Sequence, residues 1–514
     1  MVGNNQMINK FIFVSSRAFH YLCHMKKIIL FVIFSWLLLG SAFLTSCQEN
    51  FSDDPSLQLS FSVDTIRFDT VFTTMGSATA QVRVRNLNKK ALYLDYIRLA
   101  GGSASYFRLN IDGVSNADHQ VTGVELPAKD SLFIFVEVTI DPQNQTVPIL
   151  VEDEIIFAFN GNKQSVRLEV YGQDMEVLRD RTFTQDTTLM GTLPYLVYGD
   201  LVVDTGVTLA LNAGCRFYYH RDARLVVAGH LHANGSLDEP IVMRGNRMDD
   251  IFVNISYDFV DGQWGGVWLI NESGEHVMRH LEMNSGVDGL VIVGSLQSQP
   301  SLLLENSKIH NFSRYGLAAE NAHVTAVNTE ISNCAAYCVY LAGGQHRFIH
   351  NTIANYFSRT TIAIHSAKRQ DQPSVCLNDV DKTAPMSTSF YNCIIAGTRS
   401  NELGLFTPFE QQYNGEFACN IIQADSLHLS QFSHIRYVTM DDYLGVNSDS
   451  TLFKQISYEG EAYYDFTLDS LSLARDKADG QVAEQYPLDR LGNNRMADGK
   501  PDLGAYEYVH SSEQ

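Results

Sequence analysis

From Leu57 to Gly172 apolar and polar residues alternate in short runs, and they never recur at the spacing of a helix face. Gln81 to Arg85, Ala91 to Leu99, Ser131 to Ile140, Glu154 to Phe159 and Ser165 to Tyr171 put apolar side chains at every second position, which buries one side of a strand. Pro127 and the pair Asp141-Pro142 punctuate the runs, and strands at this spacing predict a β-sandwich of about seven strands over residues 57–175.

Beyond residue 176 the pattern changes from alternation to repetition. Asn306, Ile309 and Asn311 recur as Asn328, Ile331 and Asn333, each 22 residues later. Asn351, Ile353 and Asn355 continue the series one residue shorter, with Asn355 again 22 beyond Asn333. An alternating strand follows each: Tyr315-Gly316-Leu317, Tyr337-Cys338-Val339 and Thr361-Ile362-Ala363. A coil of this length buries its inner face only by stacking on the next, so the period predicts a parallel β-helix over 176–460 with asparagines laddered at its bends. Gly199 to Val203, Gly206 to Leu211, Arg216 to Tyr219 and Arg224 to Gly229 supply the first coils. Residues 245–262 and 367–385 break the rhythm and are expected as loops on one flank, and 461–514 as a segment covering the solenoid end.

Composition narrows the function. Residues 1 to 46 carry Lys10, Arg17, Lys26 and Lys27 and no acid, so without them the net charge falls from -21 to -25. Nucleic acid is thereby excluded as a partner, since phosphate binding needs basic side chains. Met25-Lys26-Lys27, the apolar run Ile28 to Phe43 and Leu44-Thr45-Ser46-Cys47 have the order of a secretory signal, the run falling short of the about 20 residues that span a bilayer. Met25 is the better start, and Gln48 to Pro55, with Asp53-Asp54, reads as a flexible acidic tether over 47–56. Of eight cysteines, six follow Cys23 and Cys47, and their spacing shows neither a CxxC pair nor a metal set.

Several of these segments resemble known families. Leu44 to Cys47 is similar to a bacterial lipobox, which implies that Cys47 is diacylated and ties the chain to the outer membrane, its surface face favoured. Phe68-Asp69-Thr70-Val71, Leu126-Pro127-Ala128, Asp141-Pro142 and Tyr171-Gly172 resemble immunoglobulin-like domains of the ASPM/SPD-2/Hydin type, which implies a spacer or protein-binding module. Gln263-Trp264-Gly265-Gly266-Val267-Trp268, Gly343-Gly344-Gln345-His346-Arg347-Phe348 and the ending Asp489 to Arg495 with Asp502 to Tyr508 resemble right-handed parallel β-helix lipoproteins of Bacteroidetes. That resemblance implies a pectin-lyase-like fold and no particular activity, because fold does not confer chemistry.

Candidate chemistry is sparse. Trp264 and Trp268 are either sugar-stacking platforms, if exposed, or core side chains beside Gly265-Gly266, and the core reading is preferred. Asp249, Asp250, Asp258 and Asp261 sit in the loop before Trp264, where loop acids can take calcium. Without a basic residue placed in register beside them, they are expected to be solvated. His323 and His346 each precede a ladder asparagine by five residues, so they should stack on neighbouring coils as surface histidines. Lys308 and Glu330 should form an exposed cross-strand pair, and Arg495 with Asp489, Asp502 and Glu507 an ion-pair network in the cap. No cofactor is implied. The leading expectation is an envelope lipoprotein, all-β, whose β-helix flank binds glycan or protein without catalysis. Its rivals are a polysaccharide lyase or hydrolase using the loop acids, and a purely structural component. An enzyme needs a cleft joining acids, a base and an aromatic floor; a binder needs a shallow flank with exposed aromatics.

Overall fold

The computed structural model describes residues 51–115, 120–252, 255–270, 274–357, 369–378, 384–406, 414–424, 432–438, 452–457 and 464–509. Cys47, the apolar run before it and Thr361-Ile362-Ala363 lie outside the described residues.

Residues 60–173 form two facing antiparallel sheets, of five and six strands, around a core that includes Val82, Ile97, Phe107, Ile134, Phe157 and Leu168. The strand count exceeds the expected seven by four short pieces: Thr65–Arg67 and Val71–Phe72, parallel along Asn162–Gln173, and the two-residue strands Ser60–Phe61 and Val114–Ser115. The acidic tether also differs from expectation. From Phe51 onward it is docked: Ser52 N donates to Ala91 O at 3.0 Å, the Phe51 ring meets Tyr93 edge-on at 5.8 Å, and Asn160 Nδ2 donates to Asp54 O at 2.9 Å.

A second body follows, of 26 strands among the described residues, its coils pairing in parallel with their neighbours. It is a parallel β-helix with three faces. The first face stacks Tyr195–Tyr198, Arg216–Tyr219, Ile241–Gly245, Leu281–Asn284, Lys308–Phe312, Glu330–Cys334, Thr352–Asn355 and Ile394–Gly397. The second runs through Arg224–Val227, Gly266–Leu269 and Leu290–Val293, and the third through His230–Asn234, Glu275–Arg279 and Ser301–Glu305. Inward side chains form continuous apolar columns, and aromatic rings stack along them, Phe348 on Phe390 at 4.7 Å and Phe390 on Phe417 at 4.9 Å.

The chain turns from the third face into the first through a left-handed residue in successive coils: His280, Asn306, Asn328, His350, Asn392 and Cys419, with φ between 46° and 55°. Asparagine tolerates that conformation better than most residues, which is why the period was written in asparagines. The ladder is bonded as expected, Asn328 Nδ2 donating to Asn306 Oδ1 at 3.2 Å. In the next coil the corner position belongs to His350, not Asn351. The register is a uniform 22 here, pairing Val327 with Ile349 and Glu330 with Thr352, so Asn351 stands one step past the corner.

The two interruptions differ. Residues 246–262 leave the solenoid as a small hairpin, Asp250–Phe252 with Ile255–Ser256, then a 3-10 turn at Tyr257–Phe259. The stretch 367–385 is not wholly a loop, because Val375–Asn378 pairs with Tyr337–Ile349 as a rung of the second face. In its described residues the C-terminal segment lies along the first face, where an end cover was expected. Arg490 reaches Glu282 at 2.8 Å, Asn328 donates to Leu488 O at 2.8 Å, Ala505 N donates to Thr352 Oγ1 at 2.9 Å, and Gly504 N donates to Asn392 O at 2.8 Å. It lies there because the outward side chains of this face turn apolar in the later coils. Ala354, Ile394, Ala396 and Ile421 would be bare without Phe453, Phe466, Leu468 and Leu503 packed on them.

Candidate functional site on the first face

The sequence candidates are used structurally. Trp264 is fully buried, its ring stacked on Tyr219 at 4.3 Å and its Nε1 donating to Asn284 O at 2.8 Å. Trp268 points outward on the second face and is half-buried, level with Val226 and Val291. Of the loop acids, Asp250 is exposed as expected and Asp249 pairs with Arg247, but the other two are not solvated. Asp261 is buried and accepts from Ser313 Oγ, while Asp258 pairs with Arg244 at 2.7 Å. Arg244 is the basic residue that sequence spacing failed to place beside them: it lies on the first face, one strand before the loop, and the excursion folds back over it.

His323 and His346 do not stack. His323 pairs with Gln345 and His346 with Val324, so one is turned outward and the other into the core. A register counted from Asn351 instead of His350 is wrong by one residue, and one residue reverses the side of a strand. His346, buried, donates through Nε2 to Gly343 O at 2.9 Å, and burial pushes its pKa down to about 4. Among the described residues there is no group of three or more His, Cys, Asp or Glu side chains able to hold a metal ion, and the six described cysteines are free thiols.

A cleft of about 140 Å³ opens beside the excursion. Its floor is made of outward side chains on two adjacent rungs, Lys308 and His310 on one, Glu330 and Ser332 on the next, which the register places side by side. Asn311 and Asn333 close one edge, at corner positions with φ of 65° and 50°. Phe259 forms one aromatic wall, and Asn311 Nδ2, donating to Asp258 O at 3.0 Å, fixes the turn that carries it. Tyr464 and Phe466, from the C-terminal segment, complete the aromatic lining, and Tyr464 packs with Phe259 against Ile255.

Glu330 is 1% exposed, not the surface acid expected. Burial alone would raise its pKa, but Lys308 at 3.5 Å, Arg490 and a hydrogen bond from the Tyr506 hydroxyl outweigh burial and hold it below the usual range. Ser332 Oγ adds a hydrogen bond at 2.7 Å. The His310 pKa is lowered too, here by burial first and then Lys308, to about 3, so the ring is neutral at physiological pH while Glu330 is charged. The two groups are displaced away from neutrality in both cases. A general acid or base works best with a pKa near the operating pH, so this pair suits recognition better than proton transfer. The floor therefore offers an ammonium balanced by a locked carboxylate, a neutral imidazole, a hydroxyl and two amides, beside an aromatic lining. Lys308 and Glu330 were legible as neighbours from the repeat; His310, Tyr464 and Phe466 were not singled out, and the only signal was outward placement on adjacent rungs.

The wall depends on a second cluster. Arg495, 0% exposed, donates to Gly504 O at 2.9 Å and to Asn328 Oδ1 at 3.1 Å, and lies 3.5 Å from Glu507. The expected network is thus present, but it fastens the segment to the corner ladder instead of sealing an end. Burial, then the neighbouring Asp502, raise the Glu507 pKa from 4.5 to about 8, against the pull of Arg495. A raised folded-state value contributes stability fully present below the unfolded pKa and lost as pH rises through the folded one. Attachment of residues 489–508 should therefore weaken as pH rises from about 4.5 to about 8 and change little beyond about pH 9. Hydrogen exchange of this segment across that window should accelerate with pH beyond the intrinsic rate, and Glu507→Gln should remove the excess. An equal pH response in the variant would show that Glu507 is not its source.

The chain is thus an all-β protein, a sandwich joined to a parallel β-helix that carries a lateral polar cleft walled by aromatics. No family model and no curated protein matches it. Solved structures similar to parts of it include a family 123 glycoside hydrolase from Clostridium perfringens, at 6% identity over 23% of this chain and 28% of that one, TM-score 0.19. PapD-like domain 7 of human CEP192 matches at 11% identity over 26% of this chain and 96% of that one, TM-score 0.16. A protein of unknown function from Porphyromonas gingivalis W83 matches at 12% identity over 25% and 60%, TM-score 0.16. The chain spans little more than a quarter of the hydrolase's length, 28%. At such scores none of these bears on activity, and the fold rests on its own strand register.

Proposed function

We propose that the protein is a cell-envelope lipoprotein, anchored to the outer membrane through Cys47, that binds a neutral glycan in the first-face cleft without cleaving it. The observation that carries the reading is the composition of the cleft: hydrogen-bonding groups of both kinds on the floor, net charge cancelled between Lys308 and Glu330, and an aromatic lining of Phe259, Tyr464 and Phe466. Aromatic walls suit the apolar faces of sugar rings, and the polar floor suits hydroxyls. Cancelled charge disfavours uronates.

The enzyme reading draws on one feature of the same cleft, an acid, a cation and aromatic walls together, although not at the loop acids first singled out. The displaced pKa values of Glu330 and His310 count against it. A glycan array with the chain from Gln48 onward, with and without calcium, followed by product analysis of every hit, separates the readings. The expected result is binding without products, weakened about tenfold by Tyr464→Ala, the loss of one aromatic contact of about 1.4 kcal/mol. Depolymerisation abolished by Glu330→Gln would establish the enzyme instead, and no binding to any glycan would leave a structural component.

A further inference from the structure

The sandwich has two distinct ends. Strand Ala80–Arg85 starts at Ala80, in the space facing solenoid residues 246–249, and ends by leading into the turn that carries Leu87, Lys89 and Lys90. At that far end is an open cleft of about 470 Å³ whose lining includes Lys89, Lys90 and Lys129 with Leu87, and a single acid, Asp54. All three lysines are exposed, and Leu87 is 57% exposed. Asp54 is turned onto its own turn, accepting from Ser56 N at 2.9 Å and Ser56 Oγ at 2.7 Å. The neighbouring Asp130 likewise accepts from Ser131 N at 2.7 Å. The turns bearing the lysines are tied together from beneath. Buried Asn86 donates through Nδ2 to Lys90 O at 2.9 Å, Leu126 O at 3.1 Å and Pro127 O at 3.0 Å. Concentrating three ammonium groups and an exposed leucine at one end is notable in a chain of net charge -21.

Chain length says what this end faces. Phe51 is docked beside Ala91, on the same part of the sandwich. Four residue steps separate it from Cys47, and an extended chain covers about 3.5 Å per step, so Cys47 is held within about 14 Å of Phe51. The apolar run Ile28 to Phe43 ends four residues before that cysteine. We infer that the lysine cleft is a membrane-contact site whose ammonium groups take the phosphates of anionic phospholipid headgroups, with Leu87 reaching into the interface. It rests on the membrane attachment proposed above, and adds which end of the protein lies against the bilayer. The sandwich then holds the β-helix away from the surface, one anchor and one basic patch being the pair of signals that stable attachment takes.

Sedimentation with lipid vesicles tests this without the acyl group, using the chain from Gln48 onward, which keeps every contact described. Vesicles of phosphatidylcholine with phosphatidylglycerol should bind the protein, vesicles of phosphatidylcholine alone should not, and added salt should weaken the binding. Each lysine near an anionic surface is worth about fivefold, so joint substitution Lys89→Gln, Lys90→Gln and Lys129→Gln should weaken binding about a hundredfold. Lys500→Gln, an exposed lysine of the C-terminal segment, should change nothing. Equal binding to both vesicle types, indifference to the triple substitution, or release by inorganic phosphate at the same ionic strength as an inert salt would each overturn the inference, the last in favour of a soluble phosphate ligand. Acylation of Cys47, read by mass spectrometry of the membrane-bound chain, is an independent measurement, so failure of the anchor and failure of the cleft are distinguishable.

Discussion

Replacing Arg495 with methionine is expected to release residues 489–508 from the side of the solenoid. The guanidinium is fully buried and bridges the carbonyl of Gly504, the side chain of Asn328 and the carboxylate of Glu507, with Asp489 and Asp502 contributing to the same field. Methionine fills similar space but leaves Asp489 and Asp502, and Glu507 once it ionises above about pH 8, without their cation. Removing one partner of a buried ion pair costs about 3–5 kcal/mol, because the remaining charge stays desolvated and unpaired. Hydrogen exchange is the appropriate readout, since a chain of this size need not unfold in one step. Protection across residues 489–508 should fall by about a hundredfold or more, while protection in the early coils, such as Arg216–Tyr219, should hold. The Tyr506 hydroxyl would leave Glu330 at the same time, loosening the cleft floor from below. Unchanged exchange in the segment would mean that Arg495 does not fasten it.

Trp264→Ala carries a comparable effect for a different reason. The indole fills the solenoid core between Tyr219, stacked at 4.3 Å, and Phe312 at 6.5 Å, and its one polar atom is satisfied by Asn284 O. Truncating a buried aromatic costs about 3–5 kcal/mol, through lost transfer energy and a cavity the rigid coils cannot close. Denaturation followed by fluorescence or circular dichroism should show the loss directly. A sugar-stacking tryptophan would give the opposite signature, normal stability with weakened glycan binding. Trp268, half-buried on the outer side of the second face, should be much less costly to truncate.

What the sequence disclosed follows from what a repeat constrains. The 22-residue recurrence from Asn306 to Asn328 was readable because left-handed corners favour asparagine and parallel stacking locks the register. The same cue misled one coil later, where His350 occupies the corner and Asn351 lies beside it. Backbone conformation sets the ladder; residue identity only reports it. The slip moved His346 from a proposed surface pair into the core.

The cleft was half legible. Its floor comes from adjacent rungs, so Lys308 and Glu330 were recognisable as partners, but the depth at which they sit depends on a segment far away in the chain. Arg490 and Glu282 are 208 positions apart, and no periodicity links them. One clue was available and unread: the outward positions of the first face turn apolar at Ala354, Ile394 and Ala396, and a solenoid flank of that character must be covered. Asp258, among the loop acids, was misjudged for a related reason. Arg244 lies outside the loop, and only the fold-back of residues 246–262 brings it against Asp258.

Hydrogen exchange of the protein saturated with its best glycan from the array, compared with the free protein, addresses the central claim most directly. Slowed exchange should be confined to Lys308–Phe312, Glu330–Cys334 and the Tyr464-to-Phe466 wall. Protection on the second face around Trp268, or within the sandwich, with none in those strands, would contradict it.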